Sequence, residues 1–371
     1  MRILHILTGG NIGGIETLCR DYAQYSVHEN IMLLLWGEGP LADEMKNNGV
    51  EVIHLHASPK NVFGTVSTFV ELCRRKKIDV VIAHHAAPMS HLCLMAVKKK
   101  IPSIITVGYA HGNAVDMCRA KEKKGLWLRR YILSTSLKKV DKVVAISNSV
   151  KESLISYFDT PENKIEVIYN GVNTATFAPN KRCASKELQL IYVGRLIKEK
   201  GVQNILSALS KVGSDISYHL KIVGDGTYRK SLEQISEKYG LQNKVEFCGN
   251  RRDVSKLLQK ADVFVHMPDW EEGFGITVIE AMAAGKICIV ENSGALPEIV
   301  SDGVNGYLIE KGNIVALAKK IRDVAEQINS AEIQQICRNA VLRAKDFSIE
   351  NFARKLDDTV RCNINKKGLM C

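Results

Sequence analysis

The chain has 371 residues, of which 46% are hydrophobic and 25% charged, a composition typical of a soluble globular protein with room for two domains. No run of about 18 apolar residues indicates a membrane-spanning helix, and the short apolar start passes straight into glycines, which argues against a signal peptide. The ten cysteines are scattered without a C-x-x-C pair, so we expect reduced thiols in a cytoplasmic protein, and the net charge of +11 favours an anionic partner.

The chain begins with an apolar run at residues 2–8, which a glycine-rich loop and a helical pattern follow. This order predicts a buried parallel strand and then a helix, with Gly13 and Gly14 at the turn. The glycine spacing differs from G-x-G-x-x-G, so the loop does not predict a dinucleotide cofactor.

Further apolar runs alternate with helical segments through the first half of the chain, at residues 31–36, 50–56, 79–85, 103–109 and 142–148. Such alternation predicts right-handed crossovers and a parallel sheet, whose ligands collect at the carboxyl ends of the strands. His84 and His85 end one of these runs and His111 follows the next, so all three are candidates for that edge. For His111 the alternative is a buried core histidine.

Several potential metal ligands lie close together in this half, namely His84, His85, His91 and Cys93. Their spacing matches no established zinc pattern, so the sequence predicts no metal site.

A basic and apolar stretch follows, in which cations surround apolar side chains: Arg119, Lys121, Lys123, Lys124, Arg129 and Arg130 around Leu126, Trp127, Leu128 and Tyr131. One interpretation is a helix lying on a membrane surface, and the other is a solvated basic helix packed on its own domain.

The polar segment 178–187 predicts a linker, after which the strand and helix alternation starts again at residue 188. Arg195 and Lys200 lie in a loop at a strand's carboxyl end, where their charges suit a diphosphate. Core packing accounts for the apolar face of the next helix, which leaves both cations free to face solvent or a ligand; that face consists of Val202, Ile205, Leu206, Leu209 and Val212.

The stretch Asp269–Gly285 contains two glutamates around a glycine turn. Glu272 precedes the turn Gly273-Phe274-Gly275, and the helix predicted to begin near Thr277 carries Glu280. Turn amides and the positive end of a helix attract electronegative atoms. Together with two carboxylates they suit a ligand with hydroxyls at both ends, such as a nucleotide-sugar. The alternative is an acidic loop that caps a helix.

These residues resemble the retaining glycosyltransferases of the GT-B fold, in the "glycosyl transferases group 1" family (family 4), over almost the whole chain. The resemblance lies in Glu272 and Glu280 with seven residues between them, and in the loop from Gly194-Arg195 to Lys200-Gly201. It implies an α/β fold of two Rossmann-like domains with parallel sheets that face an interdomain cleft. The first domain would span 1–177, the linker 178–187 and the second domain 188–346, with a crossover helix and tail at 347–371 returning to the first domain.

The resemblance also implies an activity, the transfer of a sugar from a nucleoside-diphosphate sugar to an acceptor hydroxyl with retention, giving an α-linkage. The catalytic residues that it implies are Arg195, Lys200, Glu272 and His111. The substrate-binding residues that it implies are Gly13, Gly14, Glu16, Arg252, Gly273, Phe274, Gly275 and Glu280. In these roles the two cations neutralise the departing diphosphate, Glu280 binds the ribose, and Glu272 and His111 hold the sugar.

No Asp-x-Asp motif occurs, so we expect neither a metal nor a cofactor. The expected acceptor is a saccharide or a lipid-linked saccharide of cell-surface polysaccharide, lipopolysaccharide or glycolipid synthesis. The expected location is the cytoplasm or the inner membrane surface, with peripheral contact near Trp127 and no nucleic acid as partner. The alternatives are a sugar-nucleotide epimerase of the same fold and a non-catalytic partner subunit of a transferase.

Overall fold

The computed structural model of the chain describes residues 1–11, 13–118, 125–179 and 187–366, with the side chains of the last helix described as far as Cys362. Most of the predicted linker 178–187 and the final tail lie outside the described residues. The same holds for the first four cations of the basic stretch, Arg119, Lys121, Lys123 and Lys124.

The described chain has thirteen strands, and those in the first 150 residues coincide with the apolar runs predicted there. They are β1 (Arg2–Leu7), β2 (Glu29–Leu34), β3 (Glu51–His54), β4 (Val80–Ala83), β5 (Ile105–Ala110), β6 (Lys142–Ala145), β7 (Ile165–Val167), β8 (Leu188–Val193), β9 (Tyr218–Val223), β10 (Val245–Gly249), β11 (Val263–His266), β12 (Ile287–Glu291) and β13 (Tyr307–Ile309).

Helices connect most of these strands, and three more end the described chain. They are α1 (Gly14–Tyr25), α2 (Pro40–Asn47), α3 (Val62–Arg75), α4 (Pro88–Lys100), α5 (Ala114–Cys118), α6 (Leu126–Lys139), α7 (Asn148–Phe158), α8 (Val202–Leu209), α9 (Arg229–Lys238), α10 (Val254–Lys260), α11 (Ile276–Ala283), α12 (Leu296–Ile299), α13 (Ile314–Gln327), α14 (Ala331–Lys345) and α15 (Ile349–Lys366).

The chain forms two compact α/β units. Unit 1 comprises residues 1–171 together with the segment that begins at Ile349, and unit 2 comprises Val172–Ser348. The first division therefore precedes the polar segment predicted as the linker. Each unit is built around one parallel sheet, as the alternation of strands and helices predicts.

The sheet of unit 1 has seven strands in the order β3-β2-β1-β4-β5-β6-β7, and that of unit 2 has six in the order β10-β9-β8-β11-β12-β13. In both sheets the chain moves outward from its first strand and then continues on that strand's other side. The reversal puts a topological switch point between β1 and β4, and another between β8 and β11. Loops diverge at the carboxyl ends of such strand pairs and leave a crevice for ligands.

The apolar runs form the cores because helices cover both faces of a parallel sheet. Five of the six residues of β1 are buried, and β12 is buried throughout. In unit 2 the five apolar positions predicted for the helix after Lys200 are all buried, namely Val202, Ile205, Leu206, Leu209 and Val212.

Helix α15 packs on α1 within unit 1, which confirms the expected return of the C-terminal helix to the first domain. The ring of Phe352 meets Tyr22 edge to face with centroids 5.8 Å apart. The carboxylate of Asp357 accepts hydrogen bonds from the Tyr22 hydroxyl at 2.6 Å and from the Ser26 hydroxyl at 2.8 Å. In the described part of the chain, no helix has the length and apolar character needed to cross a membrane.

Candidate active site

The loops after β8 and β11 lie side by side in unit 2, because these strands pair at the switch point. Gly201 ends the loop after β8 in a left-handed conformation with φ of +68°. A Cβ at this position would overlap the carbonyl oxygen of Met267, the residue that follows β11. The amide of Asp269 in turn donates to the carbonyl of Glu199 at 3.0 Å. Glycine at 201 therefore allows the two loops to touch, and Lys200 is held against the loop that carries Glu272.

Lys200 and Glu272 form an ion pair in which Nζ donates to Oε2 at 2.6 Å, and both side chains are 15% exposed. His266, the last residue of β11, places Nε2 3.2 Å from the same oxygen. Burial by itself raises the pKa of Glu272, but the hydrogen bond from His266 and the charge of Lys200 outweigh burial and hold the pKa far below its usual value. Glu272 is therefore a carboxylate at any physiological pH.

The two cations predicted to face a ligand are in different states. Lys200 is engaged by Glu272, and its Nζ also lies 5.1 Å from the centre of the Trp270 ring, so the expectation that it is free is wrong. Arg195 is exposed, and no described residue accepts a hydrogen bond from its guanidinium. An incoming anion could therefore bind Arg195 directly, whereas it would share Lys200 with Glu272.

The glycine turn after Glu272 leads directly into α11, which begins at Ile276. Gly275 caps the helix with φ of +107°, a conformation that side chains rarely adopt. Phe274 is buried and meets Phe347 edge to face with centroids 5.8 Å apart. The phenyl ring thus belongs to the core of unit 2. The side chain of Phe274 is therefore taken up by packing.

Glu280 lies on α11 and is half-buried. Burial raises the pKa of its carboxyl group to about 7. No described residue hydrogen-bonds to this carboxyl group. The group is therefore poised between its acid and carboxylate forms near neutral pH, in contrast to Glu272.

The loop after β10 carries Arg252, which is exposed and has no hydrogen-bond partner among the described residues. Its neighbour Arg251 pairs with Asp253 at 2.8 Å. Of these two arginines, Arg252 is the one available to a ligand.

In unit 1 the turn after β1 has the corresponding position, at the switch point between β1 and β4. Gly13 caps α1, and Gly14 is the first residue of that helix. Glu16, in the first turn of α1, places Oε1 3.2 Å from Nε2 of His85, which follows β4. The structure therefore brings together the predicted residues Glu16 and His85.

A row of histidines lies beside this turn. Nδ1 of His5 is 2.8 Å from Nε2 of His84, and Nδ1 of His84 is 3.1 Å from Nε2 of His111. The imidazole of His111 stacks on Tyr109 with centroids 4.2 Å apart. His84 is buried within this row, so the expectation that it faces a ligand directly is wrong, whereas His111 is half-buried.

The side chains weighed as zinc ligands do not form one cluster within the described chain. His91 and Cys93 are buried on α4, and Nδ1 of His91 lies 3.0 Å from the Ser136 hydroxyl. The described group that comes close enough to hold a metal ion is a different one, composed of His5, Cys19 and His84. Burial raises the pKa of the Cys19 thiol well above its usual value, which disfavours the thiolate that a metal needs.

The described part of the basic stretch exposes its apolar side chains. Trp127 is 73% and Tyr131 64% exposed on α6. Arg129 donates to the carbonyl of Met117 at 3.0 Å, and Arg130 stacks over Tyr157 at 4.2 Å, so both cations are tied to unit 1 itself.

Sequence reasoning missed His266, His5 and Asn30. Each lies inside or at the end of a buried strand, where a single polar residue gives no motif. A weak signal was available, because a histidine in an otherwise apolar strand needs a buried hydrogen-bond partner.

Two family profiles match the chain. The one described as "Glycosyl transferases group 1" matches residues 174–340, and the one described as "Glycosyltransferase Family 4" matches residues 12–176. An uncharacterized glycosyltransferase of Methanocaldococcus jannaschii is 30% identical over 336 residues, covering 83% of this chain and 84% of that protein. The N-acetyl-alpha-D-glucosaminyl L-malate synthase of Bacillus anthracis is 26% identical, covering 77% of this chain and 74% of that protein.

Solved structures share the fold over almost the whole chain. Anabaena HepE in complex with UDP superposes with a TM-score of 0.83 at 21% identity, covering 98% of this chain and all of that one. The same protein in complex with UDP-glucose gives 0.81 at 22% identity, again with 98% and 100% coverage.

Proposed function

The chain belongs to the glycosyl transferases group 1 family and is a glycosyltransferase of the GT-B fold; on that premise we propose that it transfers a sugar from a nucleoside-diphosphate sugar to an acceptor hydroxyl with retention of configuration. The nucleoside-diphosphate donor is supported by the complexes of Anabaena HepE with UDP and with UDP-glucose. Uridine is therefore the first nucleoside to try.

The observation that carries the proposal is the ionised, largely buried Glu272 between Lys200 and His266 at the switch point of unit 2. A buried carboxylate is costly unless it is paired and hydrogen-bonded. Here one oxygen, Oε2, lies 2.6 Å from Lys200 and 3.2 Å from His266. The second oxygen is then the natural acceptor for sugar hydroxyls.

We assign the other roles in unit 2 from charge and exposure. Arg195, which has no hydrogen-bond partner among the described residues, is a cation for the diphosphate, and Lys200 adds a second charge once a phosphate competes with Glu272. Each charge-assisted hydrogen bond to phosphate contributes about 1.5–3 kcal/mol. Glu280 binds the ribose hydroxyls. The amides of residues 273–275 add contacts to the sugar, and Arg252 adds a contact to the nucleoside.

From unit 1 we assign a sugar contact to His111. We assign to Gly13, Gly14 and Glu16 a place beside the donor phosphates and the acceptor. Gly13 caps α1 without a side-chain hydrogen bond, and the positive end of a helix attracts anionic groups.

In the proposed reaction the acceptor oxygen bonds to the anomeric carbon on the face from which the diphosphate departs. The bond between that carbon and the diphosphate oxygen breaks, and its electron pair stays on the diphosphate. The acceptor proton passes to a phosphate oxygen of the leaving group. Arg195 and Lys200 stabilise the charge that develops there, the place where electrostatic stabilisation is largest.

We propose that these cations replace a metal ion at the diphosphate. Turnover is then expected to be unchanged when a chelator is added. Loss of turnover with a chelator and its recovery with magnesium would contradict this part of the proposal.

We extend the proposal to the acceptor, a saccharide or lipid-linked saccharide reached by peripheral contact with the inner membrane surface. The net charge of +11 and the exposed Trp127 and Tyr131 support it. Flotation with anionic vesicles that is lost in the double variant Trp127→Ser, Tyr131→Ser would support membrane contact. Equal flotation of the two proteins would contradict the assigned surface.

The test begins with a thermal-shift screen against nucleoside diphosphates and their sugars, since a ligand that binds only the folded state raises the melting temperature. We expect a selective shift that is lost in Arg195→Ala and kept in Arg338→Ala, which removes an exposed arginine on α14. With that donor, the free nucleoside diphosphate should be released only when an acceptor is present, and L-malate and saccharides are the first acceptors to test.

The configuration of the product, read from the anomeric proton coupling, decides whether transfer occurs with retention. Conversion of the donor sugar without release of the nucleoside diphosphate would favour the epimerase. A melting temperature that no compound of the screen changes would favour a non-catalytic partner subunit.

A further inference from the structure

A row of four side chains crosses the sheet of unit 1 obliquely, each member lying about two residues further toward the carboxyl ends of the strands than the one before. Asn30 belongs to β2, His5 to the neighbouring β1, and His84 and His111 directly follow β4 and β5. The contacts are 2.9 Å from Asn30 Oδ1 to His5 Nε2, 2.8 Å from His5 Nδ1 to His84 Nε2, and 3.1 Å from His84 Nδ1 to His111 Nε2. Both ring nitrogens of His5 and both of His84 therefore have a hydrogen-bond partner within the row.

The direction of every hydrogen bond in the row follows from Asn30. Its amide Nδ2 donates to the carbonyl of His28 at 2.9 Å, so Oδ1 is the atom that faces His5. An oxygen only accepts, and His5 Nε2 must therefore carry the proton. A neutral imidazole has one N–H, so His5 Nδ1 accepts from His84 Nε2, and His84 Nδ1 accepts from His111 Nε2.

The rings of the row are neutral. Burial lowers the pKa of His5 to about 4, and burial together with the neighbouring imidazoles lowers the pKa of His84 well below its usual value. Burial also lowers the pKa of His111. The nearby carboxylates have other partners, since Asp357 accepts from Tyr22 and Glu16 lies 3.2 Å from His85. Each ring therefore carries a single proton, and the direction cannot be reversed at one ring alone.

We propose that Asn30, His5 and His84 are positioning residues that fix His111 as the Nε2–H tautomer and so present its Nδ1 as a hydrogen-bond acceptor. No described residue hydrogen-bonds to this Nδ1. A lone pair at that position accepts from a hydroxyl and repels a carboxylate or phosphate oxygen. His111 therefore selects a hydrogen-bond donor, which on the proposed function is a hydroxyl of the donor sugar or of the acceptor.

A metal ion held by His5, Cys19 and His84 is the competing use of these atoms. His5 Nδ1 and His84 Nε2 face each other at 2.8 Å, and an ion bound by these two nitrogens would replace the hydrogen bond between them. Metal binding and the hydrogen-bonded row therefore exclude each other.

The experiment is long-range proton–nitrogen NMR of the protein labelled with ¹⁵N at its ten histidines. The signals of His111 are assigned from their loss in His111→Gln. We expect the Nε2–H tautomer for His111 in the free wild-type protein, unchanged by a chelator. An Nδ1–H tautomer, or a shift of the His5 and His84 signals on addition of the chelator, would overturn the proposal. Neither the tautomer measurement nor the chelator experiment requires a bound ligand or turnover.

Matched variants at His84 separate positioning from packing. His84→Gln retains an amide that donates to His5 and accepts from His111, so the tautomer should be kept. His84→Leu provides neither atom, so His111 should become a mixture of both tautomers. A folded His84→Leu protein with the wild-type tautomer would overturn the proposal, and if it does not fold, Asn30→Leu at the far end of the row tests the same point.

The catalytic consequence is read separately. Loss of the hydrogen-bond acceptor at Nδ1 of His111 should raise the KM of the substrate whose hydroxyl it binds. We expect an increase of about tenfold in His84→Leu, as for one hydrogen bond, and a KM close to that of the wild type in His84→Gln. If no sugar nucleotide binds the wild-type protein, the proposed function is wrong. The NMR measurement still tests the tautomer of His111, because it needs no ligand. Equal KM values in all three proteins would overturn the link between the row and the ligand.

Discussion

Glu272 and Glu280 lie on one short stretch of chain, but their surroundings shift their pKa values in opposite directions. Hydrogen bonding and the charge of Lys200 lower the pKa of Glu272, whereas burial raises the pKa of Glu280 to about 7. The difference suits two roles, because one carboxylate must stay charged beside a cation and the other can bind hydroxyls in either form.

Replacement of Glu280 by glutamine should change how stability depends on pH. Between its ordinary pKa of 4.5 and its folded pKa of about 7, the folded wild type holds a proton that the unfolded chain releases, so wild-type stability falls as pH rises through this window. Glutamine does not titrate. Glu280→Gln should therefore gain stability relative to wild type, by up to about 3 kcal/mol from acid to mildly alkaline pH.

Urea unfolding of both proteins at about pH 5 and about pH 8 measures this difference, because titration of all other groups cancels. A constant difference across the two pH values would show that Glu280 ionises normally in the folded protein.

Lys200 is the second residue whose removal gives a decisive result. Lys200→Met should lower kcat/KM by about 10²–10³, the usual effect of removing one preorganised donor from a developing charge. Lys198→Met is the matched control, since Lys198 is exposed in the same loop and has no ion-pair partner among the described residues. Equal activities in steady-state assays of the two variants would remove Lys200 from the diphosphate site.

At the scale of elements, the site depends on the contact between the loops after β8 and β11. Gly201 and Gly303 both have φ of +68°, but only Gly201 has backbone against the space that a Cβ would fill. A side chain at either position would therefore strain the backbone, whereas only a side chain at position 201 would also overlap Met267.

Gly303→Ala should cost about 1–2 kcal/mol from backbone strain alone, and Gly201→Ala should cost clearly more because the loops must separate. Chemical denaturation gives both free energies of unfolding. We also expect weaker binding of a nucleoside diphosphate in Gly201→Ala, because the shift displaces Lys200. Equal destabilisation by the two substitutions would mean that the loops adjust without strain.

At the scale of the whole molecule, unit 1 is built from two distant parts of the chain. Helix α15 completes it, and the buried Asp357 connects that helix to Tyr22, Ser26 and the amide of Val27. Residues 172–348 form unit 2 between these parts. The stability of unit 1 thus depends on the last helix of the chain.

Asp357→Ala should destabilise unit 1 by about 3 kcal/mol, since it leaves the Tyr22 hydroxyl and the Val27 amide without their acceptor. The neighbouring Asp358→Ala should change stability by less than about 0.5 kcal/mol, because that side chain is 53% exposed. Hydrogen exchange measured by mass spectrometry reports on each unit separately. In Asp357→Ala we expect faster amide exchange than in the wild type in unit 1 alone. Equal acceleration in unit 2 would show that the two units unfold together.

The sequence by itself determined the architecture. Apolar runs such as residues 2–8 and 188–193, with helical patterns between them, are local signals of buried parallel strands, so both sheets and the apolar face of α8 followed directly. The pairing of Glu272 and Glu280 with the Arg195 loop indicated the family for the same reason, because each motif lies within a short stretch.

Only the tertiary structure decided the chemical state of the side chains. Lys200 meets Glu272 across 72 positions of chain, and His5 meets His84 across 79. Hydrogen-bond direction, charge and pKa depend on such distances and on burial, and no local pattern encodes them. The sequence could therefore locate Lys200, Glu280 and His111, whereas the fold made Lys200 paired, raised the pKa of Glu280, and gave His111 its neighbours in the row.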